Sequence, residues 1–216
     1  MMWKQALIIL GLFEALFLLL TTISDRIPDA IMLTANVAFA SWLFMEVMRV
    51  RLGHAPTNST THGILSRSFL VISFISVILA FVDRGLNYPF RLPPLPDVPL
   101  VTGLLLFTGG VWLRYISIKT LGRFFVTKVQ TTNDHQLIKN GVYRVLRHPS
   151  YTGLLLGFTG IILMLQSTIA LALFLVVGIP AYLYRIRVEE TALSRVFGED
   201  YKHYRDETYA LIPFIY

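Results

Sequence analysis

The amino-acid sequence predicts an all-α fold, a polytopic transmembrane helical bundle of about six membrane segments, and three observations carry that expectation. Mean hydropathy is +0.62, with 55% hydrophobic and 15% charged residues, a balance too apolar for an ordinary soluble domain. The apolar residues fall in runs approaching the roughly 20 residues that a helix needs to cross about 30 Å of hydrocarbon. Between the runs stand prolines, glycines and charges, which mark turns and interfaces. One membrane domain accommodates all 216 residues.

In order, the runs are Ala6 to Ile23, Ala30 to Met48, Ser68 to Val82, Pro99 to Ile118, Tyr151 to Leu165 and Thr168 to Tyr184. The first has the length of a signal peptide's apolar region. Glu14 interrupts it, however, and the Thr-Thr-Ile-Ser-Asp that follows offers no small-residue cleavage site, so it reads as a retained helix. Trp3, Arg26 with Pro28, and Arg49 with Arg51 mark interfaces. Pro93, Pro94, Pro96 and Pro99 preclude a continuous helix between the third and fourth runs. The last two runs are expected to form a hairpin turning near Gln166 and Ser167, followed by a charged tail from Arg185 to Tyr209.

Charge placement gives an orientation. The loop from Arg49 to Arg67 carries Arg49, Arg51 and Arg67 without an acidic residue, whereas the stretches Asp25 to Asp29 and Asp83 to Asp97 mix signs. The positive-inside rule therefore places that loop in the cytoplasm, with the N- and C-termini and the basic segment from Lys119 to Arg147 on the same side. The net charge of +6 lies mainly beside apolar spans, where anionic lipid headgroups are nearer partners than nucleic acid. The absence of cysteine excludes disulfides, thiolate metal sites and a cysteine nucleophile. Glu14, Asn36 and Glu46 are polar residues within the apolar runs; Glu46 is close enough to Arg49 for an interfacial ion pair, and Glu14 reads as a structural or headgroup contact. Oligomeric state stays open, because a small apolar interface reads like a lipid-facing surface.

Two polar clusters stand out. The first runs from His135 to Gly153 and is polar, aromatic and basic immediately before the hairpin. Gly141 suits a tight turn, and Pro149 disfavours a helical His148, so His148 and Tyr151 are expected where a helix begins, with unpaired N–H groups open to an anionic ligand. The second runs from Arg185 through Glu189 and Glu190 to Tyr204; in a helix Arg185 and Glu189 share a face at i and i+4. Taken alone, the aromatic and histidine residues also suit interfacial anchoring, and the i,i+4 pair a solvated salt bridge. His135, His148 and His203 are widely separated and no His-Glu-x-x-His pattern occurs, so no metal site is expected.

Together, Gly-Val-Tyr143-x-x-x-Arg147-His148-Pro149-Ser150-Tyr151-x-Gly153 and Arg185-x-x-x-Glu189-Glu190-x-x-Leu193-x-x-x-Phe197-Gly198-x-x-Tyr201-x-x-Tyr204, ending in Ile212-Pro213-Phe214, resemble the isoprenylcysteine carboxyl methyltransferase family. The likeness covers roughly His135 to Phe214, with weaker support from Gly122-Arg123-Phe124. It implies an integral-membrane methyltransferase that uses S-adenosyl-L-methionine without a Rossmann domain. It divides the chain into N-terminal transmembrane helices at 1–118 and a catalytic region at 119–216. By motif position it implies cofactor contacts at Gln130, His135, Gln136, Leu137, Ile138, Tyr143, His148, Pro149, Ser150, Tyr151 and Glu189. Arg185 takes the position of the substrate-contacting arginine, Glu189 joins it as a catalytic candidate, and Glu190 supports.

The acceptor implied is a lipid-like or prenylated molecule whose carboxylate is already ionised at neutral pH, so orientation and partial desolvation carry the chemistry without a general base. Three other readings remain open from sequence: a phospholipid or small-lipid methyltransferase, an NADPH-dependent membrane sterol reductase, and a non-enzymatic lipid-binding protein.

Overall fold

The computed structural model describes residues 2–23, 30–51, 68–86, 98–122 and 137–213. Four long helices come first: α1 (Met2–Ile23), α2 (Ala30–Arg51), α3 (Ser68–Gly85) and α4 (Val98–Leu121). A short 3₁₀ turn at Gly141–Arg144 leads to α5 (Pro149–Leu165) and α6 (Thr168–Leu173), then a π-helical turn at Phe174–Gly178, α7 (Ile179–Phe197) and α8 (Glu199–Glu207). Among the described residues Ser68–Gly85, Val98–Leu121 and the continuous helical stretch Thr168–Phe197 are long and apolar enough to cross a membrane. The apolar parts of the remaining segments, Gly11–Thr22, Ala30–Glu46 and Pro149–Leu165, are shorter. The protein is an integral membrane protein.

The N-terminal helices pack through aromatic rings. Phe13 of α1 meets Phe39 of α2 edge-on at 4.7 Å and Phe81 of α3 at 5.3 Å, and Trp42 extends the stack to Phe158 of α5 at 5.1 Å. Such pairs contribute about 0.5–1.5 kcal/mol each beyond the area they bury. Ile8, Leu12, Leu18 and Leu19 on α1 point outward, as expected of a surface solvated by lipid.

α4 and α5 pack differently. The buried face of α4 steps through Gly103, Phe107, Gly110, Arg114 and Ser117 in alternate strides of four and three, the spacing of a helix–helix seam. Across it lie Gly153 and Gly160, and the two backbones nearly touch: a Cβ added to Gly110 would stand 2.5 Å from the Gly153 carbonyl oxygen, and one added to Gly160 2.5 Å from that of Gly103. Lipid offers no hydrophobic drive between helices, so dispersion contact across small residues holds this pair.

The hairpin turns where expected. Gln166 closes α5 in the left-handed region (φ +58°), and the Ser167 side chain accepts the Ala170 N–H at 3.3 Å to cap α6. Arg84 at the end of α3 reaches the Leu165 carbonyl and the Gln166 side chain, both at 3.4 Å, and ties the turn to the bundle. α7 continues past Tyr184, the expected end of the span, to Phe197. The π-turn just before Pro180 has a local cause: proline has no N–H and its ring displaces the carbonyl one turn back, so Ile179 bonds Phe174 five residues earlier.

Candidate active site

The described connector begins at Leu137 and Ile138, both half-buried. Gly141 (φ +57°) turns the chain into the 3₁₀ segment, where a side chain would press on Thr120 of α4. Tyr143 is buried there, facing Ser117 of α4. Its main-chain carbonyl accepts the Tyr204 hydroxyl at 2.7 Å, which fastens α8 onto the connector.

Pro149 occupies the first turn of α5, where its missing N–H costs nothing, and His148 precedes it in a non-helical conformation. The C-terminal tail runs parallel to this stretch: Arg147 and His148 donate their backbone N–H groups to Tyr209 and Ala210, at 2.8 and 3.0 Å, and Thr152 donates its hydroxyl to Leu211 at 2.8 Å. Tyr151 and Thr152 donate theirs to the His148 carbonyl. Protein carbonyls thus take the amides of Arg147, His148, Tyr151 and Thr152, which leaves fewer N–H groups for an anion at this helix start than the sequence suggests.

Successive glutamates on α7 then divide the work. Glu190 accepts Arg147 Nε at 2.7 Å and lies 3.3 Å from His148 Nε2. Arg147 also donates to the carbonyls of Arg205 and Thr208, capping the end of α8. Glu189, about 100° around the helix, accepts the Tyr151 hydroxyl at 2.8 Å, and that hydroxyl accepts Arg185 Nε at 3.2 Å. Arg185 Nη2 stands 3.6 Å from Glu189, an ion pair longer than a hydrogen bond. The Glu189 side chain keeps 31% of its surface exposed while that of Arg185 keeps 10%. Phe69 and Tyr182 wall the Tyr151 ring at 5.5 and 6.2 Å, and Ser73 shares a hydrogen bond with the Tyr182 hydroxyl.

The structure thus brings His148, Tyr151, Arg185, Glu189 and Glu190 into one network. Pro149 acts as a helix-start residue, and Ser150 accepts Arg114 at 2.8 Å. Gln130, His135 and Gln136 lie outside the described residues. Burial first, and then the neighbouring Glu189, push the Tyr143 phenol upward; burial pushes Tyr204 up to about 12. Both therefore stay neutral at physiological pH and serve as hydrogen-bonding groups.

Sequence reasoning passed over Arg114. It is buried in α4 and pairs with Glu46 of α2 at 2.5 Å, so Glu46 has a partner on another helix besides any contact near Arg49, whose side chain lies outside the described ones. An arginine inside the expected span Pro99 to Ile118 was the available signal, since intramembrane charges are costly and pair inside bundles. One turn beyond Glu46 and Ser150 lies a narrow apolar slot lined by Trp42, Phe107, Leu154, Gly157, Phe158 and Ile161. Glu14 is half-buried, and among the described residues Asn36 has an unpartnered side-chain nitrogen.

Comparison with known proteins places this network in context. A family model described as Phospholipid methyltransferase matches residues 98–200. Protein-S-isoprenylcysteine O-methyltransferase A of Arabidopsis thaliana is 35% identical over 166 residues, covering 75% of this chain and 82% of that protein. Protein-S-isoprenylcysteine O-methyltransferase of Saccharomyces cerevisiae is 38% identical over 117 residues, 53% of this chain and 49% of its own. A solved eukaryotic intramembrane Ras methyltransferase, isoprenylcysteine carboxyl methyltransferase, aligns at a TM-score of 0.49 and 24% identity, over 96% of this chain and 74% of that one.

Proposed function

This chain belongs to the isoprenylcysteine carboxyl methyltransferase family of integral-membrane methyltransferases, and from that premise we propose that it moves a methyl group from S-adenosylmethionine to the carboxylate of a membrane-embedded, isoprenylcysteine-type acid. The observation that carries the reading is the bridge Arg185–Tyr151–Glu189, in which one hydroxyl links a buried guanidinium to a partly exposed carboxylate. Such a site offers a cation for the acceptor and an anion for a cationic donor, side by side.

The donor set fits the cofactor. S-adenosylmethionine, when bound, supplies a methyl group on a positively charged sulfur. Glu189 is the carboxylate with surface to spare for positive charge, and Tyr151 holds its orientation. His148, Tyr143, Leu137 and Ile138 would frame the pocket, with Gln130, His135 and Gln136 completing it; Pro149 and Ser150 contribute by fixing the start of α5. Arg185 spends its Nε N–H on Tyr151, and among the described residues its remaining donors make no closer bond than the 3.6 Å ion pair. They are placed to receive an acceptor carboxylate. Holding an already ionised nucleophile in a water-poor setting is the catalytic task, and it requires no proton transfer.

The apolar slot beside the Glu46–Arg114–Ser150 cluster is too small for a prenyl chain as it stands, so in this reading the acceptor's hydrocarbon tail stays in the bilayer beside the helices. The division at 118/119 then separates helices that shape access from the region that holds the cofactor. The basic segments favour a cytoplasmic site and termini. A phospholipid amine as acceptor, the reading nearest to the matched family model's description, would demand proton removal before transfer.

The test is calorimetry in detergent with S-adenosylmethionine and NADPH. Binding of the first alone, weakened by Glu189→Ala and retained by Arg185→Ala while turnover of an S-farnesylcysteine derivative is lost, is expected. Binding of NADPH, or of neither, would overturn the reading.

A further inference from the structure

α8 carries two tyrosines, Tyr201 and Tyr204, three residues apart, with ring centroids 6.1 Å apart. Both are buried, yet their hydroxyls are treated differently. Tyr204 donates to the Tyr143 carbonyl at 2.7 Å, a bond that explains why a phenol stands there. Tyr201 is more deeply buried, at 1% exposure, and among the described residues its hydroxyl has no partner. An unpaired buried hydroxyl is costly, and a phenylalanine would fill the same space without that cost. Such a group calls for an explanation, and a partner that arrives with a bound ligand is one.

The surroundings say which ligand. Arg147 of the network that joins α5 to α7 bonds the Arg205 and Thr208 carbonyls at the end of α8, and the charges that bear most on the Tyr201 phenol are those of Glu190, Arg147 and Glu189. Burial, followed by the Glu190 charge, pushes this phenol upward and keeps it neutral. Its oxygen is thus a fixed hydrogen-bonding group on the α8 side of a site whose other walls are the connector, α5 and α7.

We propose that Tyr201 is a further cofactor-binding residue, whose hydroxyl pairs with a polar group of bound S-adenosylmethionine. The proposal rests on the methyltransferase reading and extends it to α8, which otherwise serves only to clamp the connector. The two carboxylates nearby favour a partner on the cofactor that carries an N–H or O–H and donates to the phenol oxygen.

Tyr201→Phe removes one oxygen and leaves the ring. The test measures binding of S-adenosylhomocysteine by calorimetry and the melting temperature of the ligand-free protein, with Tyr204→Phe in parallel. Tyr201→Phe is expected to weaken binding about tenfold, near 1.4 kcal/mol, while the ligand-free melting temperature holds or rises. Tyr204→Phe is expected to lower the ligand-free melting temperature. Unchanged affinity in Tyr201→Phe, or a ligand-free destabilisation matching that of Tyr204→Phe, would overturn the proposal and assign the hydroxyl a structural partner. Should wild-type protein bind neither S-adenosylmethionine nor its product, the methyltransferase reading itself falls; should wild type bind and the variant match it, only the role of Tyr201 falls.

Discussion

Two junctions on α5 lie within a few turns of each other and are held by opposite means. Against α4 the helix presents Gly153 and Gly160, and contact is made by the lack of side chains. Against α7 and the tail its start presents His148 and Tyr151, and contact is made by charges and hydroxyls. The first junction fixes how close and in what register the backbones lie; the second uses that register to place chemistry. Arg114 shows the dependence, since it follows Gly110 by one turn and reaches Ser150 just before Gly153. The lesson is that the polar site inherits its geometry from a seam whose close approach is set by glycines and whose one charged member, Arg114, lies at the end nearest that site.

Breaking the seam is therefore expected to have the largest effect. Gly110→Leu drives a side chain into the Gly153 carbonyl, 2.5 Å from the first added carbon. Overpacking of this kind costs about 1–3 kcal/mol or more, and here it must separate two helices. Thermal unfolding in detergent should show a loss of folded protein, whereas Gly109→Leu, at a position open around its Cβ, should be tolerated.

Next comes the polar junction. Arg147→Ala removes one of the two partners of Glu190, leaving His148, and the donors to Arg205 and Thr208. Side-chain exposures of 11% and 19% put the pair between surface and core, so a loss of about 2 kcal/mol is expected. Faster hydrogen exchange confined to α8 and the tail would locate it. Tyr151→Phe should be milder on stability and harsher on turnover, because Arg185 and Glu189 lose the hydroxyl that spaces them; a drop of about a hundredfold in kcat, near 2.7 kcal/mol, with a melting temperature within a few degrees of wild type would sharpen the contrast. The smallest effect belongs to the exposed Lys202–Glu199 pair, where Lys202→Ala should shift stability by less than about 0.5 kcal/mol.

The sequence discloses the polar junction more readily than the seam. Runs of apolar residues locate α1 to α5 to within a few positions, and the turn at Gln166 follows from its polar neighbours. Arg147, His148, Tyr151, Glu189 and Glu190 stand out as polar residues beside membrane spans. The packing face of α4 does not, because ahead of Arg114 both faces are apolar: Gly103, Phe107 and Gly110 inward, Val101, Leu105 and Trp112 outward. Hydropathy is blind to that distinction. It also ends α7 at Tyr184, where lipid contact gives way to charge, although the helix itself continues to Phe197. The Arg114–Glu46 pair joins residues 68 positions apart and needs the seam to be known first. Tyr201 was visible as a motif residue, but its unpartnered hydroxyl appears only once α8 is packed.

The most direct test of the account follows the methyl group. Protein in lipid nanodiscs is given S-adenosylmethionine carrying a labelled methyl, together with an S-farnesylcysteine derivative and phosphatidylethanolamine. The account predicts label on the prenylated acid, released by mild alkali as a carboxyl ester must be, and abolished by Arg185→Ala. Alkali-stable label on the phospholipid amine would contradict it.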